Sequence, residues 1–204
     1  FKAGLSLIHY SNGSFKSPNT STNTLAFNAG LVYDLDGGKE RAFIVDIEKE
    51  NFKEPIKYNL ALRGGINSSD VEGMGQYPFY IISAYADKRI GRKSALHLGT
   101  DIFFSRFLKE LIRYRSISFP EDNISADTDY KRVGVFVGHE LFLNKLSITT
   151  QMGYYVYYPF DFEGRMYNRI GLKRYLGEKV FAIVSIKSHA ANAEAIEFGV
   201  GIRF

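Results

Sequence analysis

The sequence contains no cysteine and no tryptophan, and only 5 of its 204 residues are proline. A chain without cysteine has no disulfide scaffold, no thiolate metal centre and no cysteine nucleophile. There is also no run of roughly 18 apolar residues, so the sequence predicts no transmembrane helix. The chain begins at Phe1 without a recognisable signal peptide, and we expect a mature chain or one shortened at its N-terminus.

Aromatic and small residues are abundant, with 17 Phe, 14 Tyr and 19 Gly. Together with a hydrophobic content of 45%, this composition favours an all-β protein with a single domain over residues 1–204. The formal net charge is +4. We interpret this modest excess as a solvated basic surface, and we predict no nucleic-acid partner.

Polar and apolar residues alternate with a period of two along most of the chain, which indicates β-strands. The clearest case is AIEFGVGIRF, residues 195–204, where from Ile196 onward one face is wholly apolar and the other is charged or glycine. Such segments reach about ten residues, the length of a tilted strand that crosses a bilayer. Aromatic residues gather at strand ends, as in YYVYYPF at 154–160, which is typical of a membrane interface. We predict an antiparallel transmembrane β-barrel, with a soluble β-sandwich as the alternative.

The alternating segments number about ten, and an even number suits a closed barrel. Short connections alternate with longer ones, as expected of short periplasmic turns and longer external loops. We predict a short helix over 106–115, and we interpret 35–55 as either a strand extension or a plug-like element. The predicted strands lie near 1–12, 22–35, 55–66, 77–90, 94–105, 128–142, 145–158, 165–176, 179–189 and 194–204, with 189–194 counted among the longer loops.

Charged residues recur on the predicted inner face of the barrel. We expect them to form a charge network that fills the lumen, which argues against an open pore. No pair of histidines has a spacing typical of zinc ligands, so we predict no metal site and no cofactor. The predicted interior charges are Arg63, Arg132, Arg169, Lys173, Asp101 and Glu140.

The stretch HYSNGSFKSPN, residues 9–19, places a histidine and a serine two residues apart at the end of the first strand. On a strand, His9 and Ser11 share a face, and Leu5 and Leu7 precede them on that same face. Asn23 has the matching position on the apolar face of the next strand. A serine becomes nucleophilic near neutral pH when a histidine acts as its base, so this cluster is a candidate catalytic site. The alternative is a polar strand end that enters a turn.

This stretch resembles the motif of the lipid A 3-O-deacylase (PagL) family and of the broader bacterial acyloxyacyl hydrolases. The resemblance implies a barrel in the bacterial outer membrane that removes an ester-linked acyl chain from lipid A or lipopolysaccharide, at a site facing the lipid. It implies His9 as the general base and Ser11 as the nucleophile, with no cofactor. It also implies that Asn12 and Asn19 stabilise the oxyanion.

The sequence departs from the family pattern in two ways. Well-known members carry glutamate where this chain has Asn23, and short members carry the histidine–serine motif near the C-terminus rather than near the start. We expect Asn23 to orient His9 in place of the carboxylate. Glu194 is a second candidate for that role if the ten strands close on themselves and the last strand lies beside the first. The functional alternatives are a catalytically inactive structural or accessory barrel and, more remotely, a small channel.

Overall fold

The computed structural model describes residues 1–11, 21–33, 54–68, 71–190 and 192–204, and these form a two-stranded hairpin and a closed barrel. The hairpin consists of β1 (Lys2–Tyr10) and β2 (Thr22–Gly30). The barrel strands are β3 (Lys57–Ser68), β4 (Gln76–Gly91), β5 (Ser94–Ser105), β6 (Arg132–Leu143), β7 (Leu146–Tyr157), β8 (Met166–Tyr175), β9 (Val180–His189) and β10 (Asn192–Arg203). Between β5 and β6 lie helix α1 (Arg106–Ser118) and a 3₁₀ turn over Pro120–Asp122.

The barrel closes through its last strand. β10 pairs antiparallel with β3, from Phe198 opposite Gly64 to Arg203 opposite Asn59. All other neighbours in the barrel are consecutive in sequence. The prediction of an all-β antiparallel barrel is therefore confirmed, but eight strands rather than ten form the closed sheet. The first two predicted strands exist and pair only with each other among the described residues.

Alternation along each barrel strand separates an apolar outside from a polar inside. On β5, Leu96 and Leu98 are exposed on the outer surface, while His97 and Asp101 are buried in the lumen. Glycines on the inner face make room for large neighbours, and a Cβ at Gly153 would meet the ring of Tyr167 at 2.1 Å. The long apolar outer surface is what a strand needs when it faces hydrocarbon.

Ion pairs fill the interior, as the sequence predicts. Arg169 contacts Glu197 at 2.7 Å (Nε to Oε2) and Asp101 at 3.0 Å (Nη1 to Oδ2). In another part of the lumen, the Glu140 carboxylate accepts a hydrogen bond from Lys173 and lies 3.0 Å from the Nε2 of His97. All of these side chains are buried. Since each buried charge has an opposite charge beside it, the desolvation cost of the lumen is offset by mutual attraction.

The connections at the two ends of the barrel differ in length. At one end, two-residue turns join β4 to β5 and β6 to β7, and a four-residue connection joins β8 to β9. At the other end, longer segments follow β3, β5 and β7, and α1 occupies the longest of them. The connection after β9 spans only residues 190–191, so the prediction of a longer loop at 189–194 is wrong.

Helix α1 confirms the predicted helix and extends three residues beyond it. None of the helices that the structure describes has the length and apolar character needed to cross a membrane. The predicted extension or plug at 35–55 lies almost wholly outside the described residues.

Candidate active site

The hairpin presents two different faces. Leu5 lies opposite Phe27 and Leu7 opposite Leu25, and these four side chains are 71–75% exposed. They form an apolar face that consists of two neighbouring cross-strand pairs. The opposite face is mixed, because Ile8 and Tyr10 lie on it together with Ser6, whose hydroxyl accepts a hydrogen bond from the Asn28 amide. The hairpin therefore has one continuous apolar face and one mixed face.

The apolar face ends in a polar pair. His9 lies directly opposite Asn23 in the strand register, and its Nδ1 is 2.7 Å from the Asn23 side-chain oxygen. With the Asn23 oxygen as the acceptor, a neutral His9 imidazole carries its proton on Nδ1, because a carbonyl oxygen only accepts hydrogen bonds. The other ring nitrogen, Nε2, then has a free lone pair and can act as a base.

Ser11 follows immediately after the end of β1, two residues beyond His9, and its side chain is exposed. The structure thus brings together His9 and Asn23 and leaves Ser11 at the adjoining end of the strand. Asn12 and Asn19, implied as oxyanion donors by the family resemblance, lie outside the described residues. Their role stays a prediction.

The structure excludes Glu194 from the neighbourhood predicted for it. Its side chain is buried in the barrel lumen, where its Oε1 is 2.5 Å from an Nη2 of Arg132 and its Oε2 contacts Lys187 and His189. The prediction that it lies on the lipid face, beside His9, is wrong for two reasons. β10 pairs with β3 and not with β1. In addition, a register shift between Ala193 and Ala195 reverses the inward–outward alternation at residue 194, when the strand is followed back from its C-terminal end.

Glu194 belongs instead to a cluster that the sequence did not reveal. Potential metal-ligand atoms of Glu163, His189 and Glu194 lie within 4.8 Å of one another at the long-loop end. However, Arg132 and Lys187 already neutralise Glu194, and their positive charges oppose the binding of a cation there. The charges around these carboxylates therefore favour a buried set of ion pairs at this end of the barrel over a metal centre.

Comparison with known proteins gives matches along most of the chain. Residues 56–204 match the family described as acyloxyacyl hydrolase, C-terminal domain, and residues 1–32 match the family described as lipid A 3-O-deacylase (PagL). No curated protein matches the chain.

Two solved outer-membrane proteins show structural likeness. The attachment invasion locus protein Ail of Yersinia pestis is 11% identical with a TM-score of 0.42, and the alignment covers 74% of this chain and 100% of Ail. Neisserial surface protein A (NspA) is 11% identical with a TM-score of 0.39, covering 74% of this chain and 98% of NspA.

Proposed function

The chain belongs to the acyloxyacyl hydrolase family of PagL-type lipid A deacylases, and from this membership we propose that it hydrolyses an ester-linked acyl chain of lipid A at the tip of its N-terminal hairpin. The protein is located in the bacterial outer membrane. The observation that carries the proposal is the hydrogen bond of 2.7 Å between His9 and Asn23, because it fixes the imidazole in the tautomer that a base requires.

The first half of the reaction forms an acyl-enzyme. The Ser11 oxygen attacks the carbonyl carbon of the acyl ester while His9 Nε2 accepts the hydroxyl proton. The negative charge that develops on the carbonyl oxygen is stabilised by amide donors, for which Asn12 and Asn19 are the candidates. The tetrahedral intermediate then releases the sugar hydroxyl, which takes its proton from the His9 imidazolium.

The second half releases the fatty acid. A water molecule gives a proton to His9 and attacks the acyl-enzyme, and Ser11 recovers its proton as the carboxylic acid leaves. Throughout the cycle the side-chain oxygen of Asn23 accepts the Nδ1–H of His9. Asn23 is uncharged, so it orients the imidazolium with less electrostatic stabilisation than a carboxylate would supply.

The position of the pair suits a lipid ester. The apolar face formed by the Leu5–Phe27 and Leu7–Leu25 pairs contacts acyl chains, and His9 follows at the end of that face. In lipid A the acyl esters lie at the corresponding boundary, between the hydrocarbon and the sugar headgroup. A substrate held by its chains along the hairpin would therefore present its ester to the polar end.

The test is fatty-acid release from purified lipid A, followed by mass spectrometry. We expect Ser11→Ala and His9→Ala to abolish release while the barrel stays folded. The matched control is Ser6→Ala, because Ser6 lies on the same strand but on the opposite face. Undiminished release by Ser11→Ala would remove the nucleophile from this scheme, and loss of release by Ser6→Ala would mean that the assay reports hairpin integrity rather than chemistry.

A further inference from the structure

Helix α1 covers the long-loop end of the barrel and is fixed there by apolar packing. One face of the helix is buried against Phe160 and against partly buried apolar side chains from the surrounding loops. Because that face is held, the direction of the opposite face is also fixed. The buried helix residues are Phe107, Leu108, Leu111 and Ile112.

The opposite face carries a row of cations. Arg106, Lys109 and Arg113 are exposed and follow one another at spacings of three and four residues, which places them side by side. None of the three forms an ion pair with any residue in the described part of the chain. Like charges at these spacings destabilise a helix by a few tenths of a kcal/mol per pair. An anion bound between them would reverse that repulsion.

A cleft of about 410 Å³ with a mixed polar and apolar lining adjoins this row, between α1 and the segment that follows β3. Val71, Met74 and Ile117 contribute apolar surface to it, Arg113 stands at its edge, and the carboxylates of Glu72 and Glu110 also border it. Ile117 is 69% exposed, a large value for an aliphatic side chain with no described cover. Cations beside exposed apolar surface are typical of helices that lie at a membrane interface.

The position of α1 along the barrel axis corresponds to the level of the lipid headgroups. α1 begins at Arg106, directly after the last residue of the membrane-crossing strand β5. Outer-membrane barrels carry their longer loops on the external side, so α1 emerges at the level of the outer-leaflet headgroups. The glycolipid of that leaflet carries phosphate groups on its sugars and acyl chains below them. This combination of anion and hydrocarbon is complementary to the cationic row and the cleft.

We propose that Arg106, Lys109 and Arg113 on α1, with the adjoining cleft, bind the phosphorylated headgroup of a lipid A molecule in the outer leaflet. The residues of this site belong to the barrel and its loops, and none of them belongs to the hairpin that carries the proposed catalytic pair. It depends on the outer-membrane location and not on hydrolysis.

The experiment compares two triple variants in a Ser11→Ala background, so that no ligand is consumed. One variant replaces Arg106, Lys109 and Arg113 with glutamine, which keeps helix propensity high. The control replaces three exposed lysines in the tight turns at the other end of the barrel, and so removes the same charge. These are Lys93, Lys145 and Lys179.

Binding to the detergent-solubilised protein is titrated with bisphosphorylated lipid A and with the same lipid after removal of its phosphates. We expect the helix variant to bind the phosphorylated lipid about ten- to a hundredfold more weakly, as estimated from the attraction of individual cations to anionic headgroups. The control should bind as tightly as the parent, and all three proteins should bind the dephosphorylated lipid equally weakly. Equal losses in both variants, or no loss in the helix variant, would overturn the proposal. Because binding is measured without Ser11, a failure here is distinct from a failure of the proposed esterase.

Discussion

Replacing Asn23 with aspartate tests the role assigned to this side chain without changing its shape. The Asn23 oxygen lies 2.7 Å from His9 Nδ1, and one oxygen of an aspartate at the same position would take the same place. The change converts a neutral acceptor into a charged one. It should therefore stabilise the imidazolium that forms when His9 accepts the serine proton.

The magnitude follows from the difference between two kinds of hydrogen bond. A neutral bond contributes about 1 kcal/mol and a bond to a charged group about 1.5–3 kcal/mol. Because both His9 and Asn23 are exposed, the low end of the difference applies, about 0.5 kcal/mol. Since about 1.4 kcal/mol corresponds to a tenfold change in rate, we expect Asn23→Asp to raise kcat about twofold.

The assay is the initial rate of fatty-acid release from lipid A in detergent micelles at saturating substrate. Asn28→Asp is the matched control, because Asn28 lies on the same strand but bonds to Ser6 on the opposite face, and we expect its kcat to stay unchanged. Asn23→Ala should lower kcat. If Asn23→Asp lowers kcat as much as Asn23→Ala, the asparagine acts through its amide N–H on the substrate, and the tautomer argument is refuted.

Two further predictions concern the barrel. Glu197→Ala leaves the buried Arg63 and Arg169 with Asp101 as their one remaining carboxylate partner among the described residues, so urea unfolding in lipid vesicles should show a loss of about 3 kcal/mol. Glu178→Ala in an exposed turn should change stability by less than about 0.5 kcal/mol, and equal losses would contradict the buried network. Deletion of residues 1–33 should leave a heat-modifiable barrel on gel electrophoresis, since its closure uses none of them, and should abolish fatty-acid release. Release by the shortened protein would place the active site elsewhere.

The strands and the contact between His9 and Asn23 could be predicted because they depend on patterns within short stretches of sequence. A period of two assigns each residue to a face, and charged inner faces cannot point into hydrocarbon. The contact between His9 and Asn23 follows from the same rule, because both lie the same number of residues from the centre of their hairpin near Lys16. Neither inference needs knowledge of how distant strands meet.

Closure of the barrel could not be predicted in this way. Every antiparallel barrel needs its last strand to pair with an earlier one, but alternation is the same on β1 and β3 and does not distinguish them as partners. The structure pairs β10 with β3, so the first two strands remain outside the closed sheet. The prediction of a ten-stranded barrel is therefore wrong, because only eight of the ten strands in the described residues form the closed sheet.

Glu194 shows how a single extra residue reverses a prediction of this kind. In the pairing of β10 with β9, Ala193 lies opposite Ser188 and Ala195 opposite Lys187, so residue 194 is inserted between two adjacent pairs. Such a bulge shifts the alternation by one, and it brings Glu194 to the inside although counting back from Ile196 places it outside. The energetics favour this arrangement, because an outward carboxylate would face lipid, whereas the inward one meets Arg132 and Lys187. With this carboxylate committed to the lumen, the His9 imidazole depends on the neutral oxygen of Asn23, and for that reason adding a charge at position 23 should accelerate the reaction.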